Sequence, residues 1–175
     1  MVIQMKKIII LLFMITLVTF FCNNKKENII IPNNAIRFRI IANSDSTVDQ
    51  ELKKTIKNDI NKNFISKINA NSKQNTEKQI KTNLTSLDNI LKKYNVEYNI
   101  NYGQNYFPKK IYRGIQYNEG LYDSLVITLG NGLGANWWCV MFPPLCLLEA
   151  DENNYSDIDY QLYIKKIISN KKNNS

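Results

Sequence analysis

The chain contains no histidine among its 175 residues. That absence removes whole classes of chemistry. Ser-His-Asp and Cys-His nucleophilic machinery both need an imidazole to take the proton. Zinc sites lose their commonest ligand. Cysteine is nearly as scarce, with three in all. Cys139 and Cys146 show neither a CxxC redox spacing nor a metal-ligand spacing, and two thiolates alone do not complete a tetrahedral zinc site. No cofactor and no metal are expected, and the chain does not read as an enzyme. Long hydrophobic runs are missing too. The uncharged apolar run from Ile8 to Phe21 would span only ~21 Å as a helix, against a bilayer core of ~30 Å.

That short run follows Lys6 and Lys7, the order of a secretory signal. Residues 1–26 therefore read as a signal peptide or an uncleaved N-terminal anchor, with Thr19-Phe20-Phe21 before Cys22 offering no standard cleavage box. Residues 27–35 read as a polar linker ending near Pro32. The formal net charge is +8, and the basic residues are spread through the helices and tail rather than gathered in one block. An exported basic protein is expected to feel a weak attraction to an anionic membrane surface and not to bind nucleic acid.

Proline and tryptophan are also rare, at four and two. Both tryptophans, two prolines and two cysteines fall within Asn136-Trp137-Trp138-Cys139-Val140-Met141-Phe142-Pro143-Pro144-Leu145-Cys146. Adjacent indoles are costly to leave in water, and a buried one needs an outlet for its N–H. Paired prolines fix the backbone and stay out of central strands. The segment reads as a rigid loop, with one indole buried and the other on a contact surface. Before it lies Gly130-Asn131-Gly132-Leu133-Gly134, a flexible approach that lacks the Lys and Ser/Thr of a phosphate loop. Cys139 and Cys146 are either a disulfide, favoured by export, or two buried thiols packing as small hydrophobes.

Elsewhere the periodicities are ordinary. Ile36–Ile41 alternates as a strand, with Arg37 and Arg39 on one face and Phe38 and Ile40 on the other. Ser46-Thr47-Val48-Asp49 has the spacing of a capping box, in which Asp49 reaches back to the Ser46 N–H. Leu52, Ile56, Ile60, Phe64 and Ile68 form one helical stripe, and Ile80, Leu84, Leu87, Leu91 and Tyr94 a second. Val96–Tyr102, Lys110–Gln116 and Leu125–Leu129 read as strands. The order predicts an α+β fold: two helices packed on a small, mostly antiparallel sheet, forming one domain over 36–150. Residues 151–175 read as a polar tail with a short amphipathic helix bearing Ile158, Leu162, Ile164, Ile167 and Ile168. Asp45 and Asp49 fit a turn former and a cap better than a catalytic pair.

Two segments carry a resemblance. They are Arg37-Phe38-Arg39-Ile40-Ile41-Ala42-Asn43-Ser44-Asp45 with Asp49-Gln50, and the Trp-Trp segment. Phe107-Pro108-Lys109-Lys110-Ile111-Tyr112 and Gly120-Leu121-Tyr122 lie between them in the matching order. Over about Arg37 to Leu147 the chain resembles the stage II sporulation protein R family. It departs from that family in carrying Arg39 where a histidine is typical.

The resemblance implies a signalling protein exported from the forespore into the intermembrane space during endospore formation. Its implied partner is a membrane-embedded aspartic protease that processes the precursor of sigma-E, the mother-cell sigma factor. Candidate partner-binding residues are Asn43, Asp45, Asp49, Asn136, Trp137 and Trp138, with Cys139, Cys146, Pro143 and Pro144 as structural supports. The competing readings are a cell-wall hydrolase using Asp45, Glu119 or Asp123, and a passive structural adaptor in the intermembrane space.

Overall fold

Alternation in Ile36–Ile41 (β2) produces the centre of the molecule. Phe38 and Ile40 are fully buried on one face of this strand. The coordinates are a computed structural model describing residues 13, 14, 16, 29–146 and 157–172. Apart from 13, 14 and 16, the expected leader lies outside the described residues, as do 27–28, 147–156 and the last three. No helix among the described residues is long and apolar enough to cross a membrane.

β2 belongs to a four-stranded sheet of order β3-β6-β2-β7. The other strands are β3 (Tyr98–Phe107), β6 (Gly120–Leu129) and β7 (Asn136–Phe142). β3 and β6 are antiparallel, β6 and β2 parallel, and β2 and β7 antiparallel. A second sheet of order β1-β5-β4 joins β1 (Ile29–Ile30) parallel to β5 (Ile115–Tyr117), which is antiparallel to β4 (Lys110–Tyr112). The expected single, mostly antiparallel sheet is therefore two mixed sheets. A parallel pair needs a long crossover. Everything between β2 and β6, including the helical layer, supplies one for β2 and β6.

That layer contains α1 (Thr47–Asn63), α2 (Lys73–Thr82) and α3 (Leu84–Leu91). With α4 (Asp157–Lys172) the described residues hold four α-helices where two core helices and a tail helix were expected. The second predicted stripe is broken at Asn83. Its backbone N–H reaches the carbonyls of both Gln79 and Ile80, while its side-chain amide also donates to Gln79. Asparagine competes with the helix for such partners. The apolar stripes survive the break: Ile56, Ile60, Phe64, Ile80, Leu87 and Leu91 pack with Phe38, Ile40, Leu125 and Ile127. Each such side chain contributes roughly 1.5–3 kcal/mol of transfer free energy when fully buried.

The opposite face of the sheet is covered as well. Ile29, Ile31, Ile115, Tyr117, Val140, Leu145 and Ile164 form a second apolar cluster. On α4 the outcome is mixed. Ile164 is buried and Ile167 and Ile168 pack against the cluster, but Leu162 is exposed. Because both faces are covered, the arginine side of β2 is not a solvent face. Arg37 is 1% exposed.

Candidate functional site

The turn after β2 is a polar clamp. Ser46 caps α1, its Oγ accepting from the Asp49 N–H at 3.2 Å. The reciprocal half of the expected box is absent: the Ser46 N–H donates to Ser44 Oγ instead. Asp49 Oδ2 accepts from Asn43 Nδ2 at 2.9 Å and from Ser44 Oγ at 2.5 Å. Those bonds hold the Asp49 carboxyl below the usual carboxylate range. Asn43 Oδ1 in turn accepts from the Asn131 N–H at 2.9 Å, and Asp45 Oδ1 from the Ala135 N–H at 2.6 Å. Lys53 Nζ donates to the Ala135 carbonyl at 2.7 Å and to Gln50 Oε1 at 2.6 Å. Burial pushes the Lys53 ammonium pKa down, against the opposing charge of Asp45.

The glycine-rich approach is thus pinned rather than flexible. A Cβ on Gly134 would lie 2.2 Å from the Ser44 carbonyl oxygen, and one on Gly130, at φ +51°, 2.3 Å from Asn43 Oδ1. At Gly134 only glycine lets the two backbones meet so closely, and at Gly130 the positive φ favours glycine. The clamp delivers the chain directly into β7.

The Trp-Trp segment is an edge strand and not a loop. Its residues pair with β2 over Asn136–Phe142, with Trp138 opposite Arg39 and Trp137 opposite Ile40. Side chains alternate along a strand, so adjacent indoles go to opposite faces. Trp137 turns to the helical side, edge-on to Phe38 at 5.7 Å and under Lys57 Nζ at 5.4 Å. Trp138 turns to the arginine side, edge-on to Phe107 at 5.6 Å and under Lys110 Nζ at 4.8 Å. Both are half-buried, which replaces the expected division into one core indole and one surface indole.

Beyond the strand, a Cys139–Cys146 disulfide, a cis Phe142–Pro143 bond and a Leu145 N–H to Val140 carbonyl hydrogen bond of 3.0 Å shape the turn. Both cysteines are buried. Pro144 lines a small hollow with Met141, Ile65 and Ile68. Pro143 and Pro144 begin where the sheet pairing ends, as missing N–H groups require.

On the arginine side, Arg37, Lys110, Tyr112, Tyr117 and Asn136–Cys139 line a cleft of about 140 Å³. The Arg37 guanidinium lies 3.7 Å from the Tyr122 ring centre, 5.1 Å from Phe107 and 5.7 Å from Tyr117. Its Nη2 donates to the Asn118 carbonyl at 3.0 Å, which also accepts from Tyr122 Oη. Nε and Nη1 have no hydrogen-bond partner among the described residues. Arg39 stacks over Phe107 at 4.7 Å. Burial lowers the pKa of both guanidinium groups; for Arg37 the neighbouring Tyr122 and Tyr117 work the other way. Neither arginine has a carboxylate at ion-pair distance among the described residues.

The predicted residues thus fall into two groups joined by β7. Asn43, Asp45 and Asp49 use their side chains inside the clamp, whereas Asn136, Trp137 and Trp138 line the cleft. Reading along the chain did not find Arg37, Lys110 and Tyr117 as neighbours. The available signal was a pair of arginines alternating within an otherwise apolar strand. Two of the hydrolase candidates, Asp45 and Asp123, are engaged in separate contacts. Asp45 is in the clamp, and Asp123 pairs with Lys73 at 2.5 Å while also accepting from Gln104. No group of three potential metal-ligating side chains occurs among the described residues.

Comparison with known proteins places these features in a family context. The model of the family described as Stage II sporulation protein R matches residues 32–152. A curated protein named Stage II sporulation protein R, from Bacillus subtilis (strain 168), is 40% identical over 134 residues, covering 71% of this chain. The chain spans about 60% of that relative's length. No solved structure matches.

Proposed function

The chain belongs to the stage II sporulation protein R family, and from that premise we propose that it is a forespore signal exported into the intermembrane space. There it activates the membrane-embedded aspartic protease that processes the precursor of sigma-E. A role in sporulation follows from the family, whose name is not that of an enzyme.

The structural observation that carries the activator reading is the character of the cleft beside β7. Among the described residues its lining is aromatic and basic and includes no carboxylate. A glycosidase needs paired carboxylates, one to give a proton and one to activate water or attack; a recognition surface needs rigid aromatic and arginine anchors. Activation then follows from differential affinity. A ligand shifts its receptor only to the extent that it binds the active arrangement more tightly.

The test is reconstitution of the purified protease in vesicles, with the precursor as substrate and this chain added from the outer side. Cleavage that rises saturably with added chain supports the reading. Unchanged cleavage at saturating chain rejects it. A passive adaptor would bind the protease without raising cleavage, and a wall hydrolase would release soluble fragments from peptidoglycan.

A further inference from the structure

We propose that the cleft between the second sheet and the outer edge of β7 binds a carboxylate side chain carried on an extended segment of a partner protein, with Arg37 as its counter-ion. This deepens the activator reading and rests on it only for which partner owns the segment.

Arg37 is the starting point. It is 1% exposed, and among the described residues two of its nitrogens lack hydrogen-bond partners and no carboxylate pairs with it. A buried charge without a counter-charge is costly. Stacking on Tyr122, Phe107 and Tyr117 offsets part of that cost, since the ring faces attract a desolvated cation. An incoming carboxylate would supply the missing charge and acceptors together.

The cleft's size and lining select the group. At about 140 Å³ it is well below the ~300–1,000 Å³ of a small-molecule site. It suits one side chain. Tyr112, Tyr117 and Trp138 provide walls for an apolar stem, while Lys110 and Asn136 add polar contacts at the rim. Donors set between aromatic rings fit a planar group on a carbon stem better than a free hydrated phosphate.

The edge strand selects the carrier. Among the described residues no strand pairs with the outer side of β7. An extended peptide added there would hydrogen-bond through its main chain and send alternate side chains toward the arginine face.

The indole of Trp138, one of two tryptophans in the chain, faces this cleft, so intrinsic fluorescence reports on it. The probe is a short blocked peptide of alternating threonine and valine with one central glutamate. It is titrated into the full chain beside the glutamine version and inorganic phosphate. The expected result is a saturable change with the glutamate peptide and binding at least about tenfold weaker for the glutamine peptide, the loss of one desolvated charge pair. Arg37→Gln should abolish the preference. Because Arg37 is packed among aromatic rings, Lys110→Ala on the exposed rim is the second variant, and it should weaken glutamate-peptide binding several-fold.

Equal affinity for the two peptides, or no saturable response, overturns the proposal. So does phosphate displacing the peptide completely, which would make the cleft a general anion site. Tighter peptide binding after Glu149, Asp151 and Glu152 are changed to their amides would also overturn it, by making the chain's own acidic segment the occupant. Glutamate preference without protease activation would retain the cleft and remove the activator reading. Activation without glutamate preference would do the reverse.

Discussion

Asp45 accepts a hydrogen bond at 2.6 Å from the backbone N–H of Ala135, a residue ninety positions further along the chain. With the Asn43–Asn131 bond, it ties the start of the first helix to the entry of the tryptophan strand. The clamp and the edge strand β7 are therefore one mechanical unit. Polar residues that make no outward contact of their own can still set the position of Trp137 and Trp138.

Asn43→Ala should destabilise the fold by about 1–3 kcal/mol, because Asp49 and the Asn131 N–H lose a partner together. Urea denaturation reads this loss. The double variant with Asp49→Ala should fall short of the sum of the single changes, since the two side chains share a bond. Ser46→Ala removes the helix cap and should cost ~0.5–2 kcal/mol. An unchanged urea midpoint for Ser46→Ala would mean that the cap contributes nothing.

The two tryptophans should separate in their effects. Trp137→Ala removes a half-buried ring from the helical-side core and should cost about 2–3 kcal/mol, less than the ~3–5 of a full core truncation. Trp138→Ala should leave most of the stability intact but weaken protease activation by the equivalent of ~2 kcal/mol or more in binding. Melting curves and the reconstituted cleavage assay measure the two quantities. Equal unfolding by both variants would place the signalling surface away from β7.

Cys139→Ser and Cys146→Ser, alone or together, should destabilise by roughly 2–3 kcal/mol on the loop-entropy model, since the bridge closes a short loop of sequence separation 7. Thiol labelling of the unfolded, unreduced protein, followed by peptide mapping, should leave both positions unlabelled. Labelling at either would show the bridge absent in solution.

Acid should loosen the clamp. Hydrogen bonds from Ser44 and Asn43 depress the Asp49 pKa, the Lys92 ammonium that of Asp88, and the Lys73 ammonium that of Asp123. These carboxyls are more acidic folded than unfolded. Their stabilisation is therefore present above the unfolded value, ~3.9 for aspartate, and is lost as pH falls through the folded values. Urea midpoints should drop on acidification below about pH 5. Asp49→Asn should flatten part of that slope, and an unaltered slope would remove Asp49 from the acid response.

Export is tested by replacing Leu12 and Phe13 with aspartate, which interrupts the apolar run after Lys6 and Lys7. The chain should then stay in the forespore, and sigma-factor processing in the mother cell should stop. Normal processing by the retained protein would show that it does not act from outside.

The separate regularities of this protein are local, and local patterns can be read along a chain. Spacing of four placed Ile56, Ile60 and Phe64 on one buried stripe, alternation placed Phe38 and Ile40 on one face, and Ser46 announced the start of the first helix. Absence was equally legible: without histidine, the common nucleophilic and zinc machinery had no raw material. Tertiary structure decided the rest because it required partners that no short spacing encodes. The paired prolines made the tryptophan segment look like a loop, yet β2 supplied a neighbouring strand and turned it into a sheet edge. The three clustered glycines suggested freedom, yet the Ser44 carbonyl and the Asn43 side chain lie against them and make them a close-packed turn. Arg37 looked like one of two charges on a strand face. Only the covering of that face by a second sheet and the last helix made it a buried cation, beside residues from Lys110 to Tyr122 that are remote in sequence.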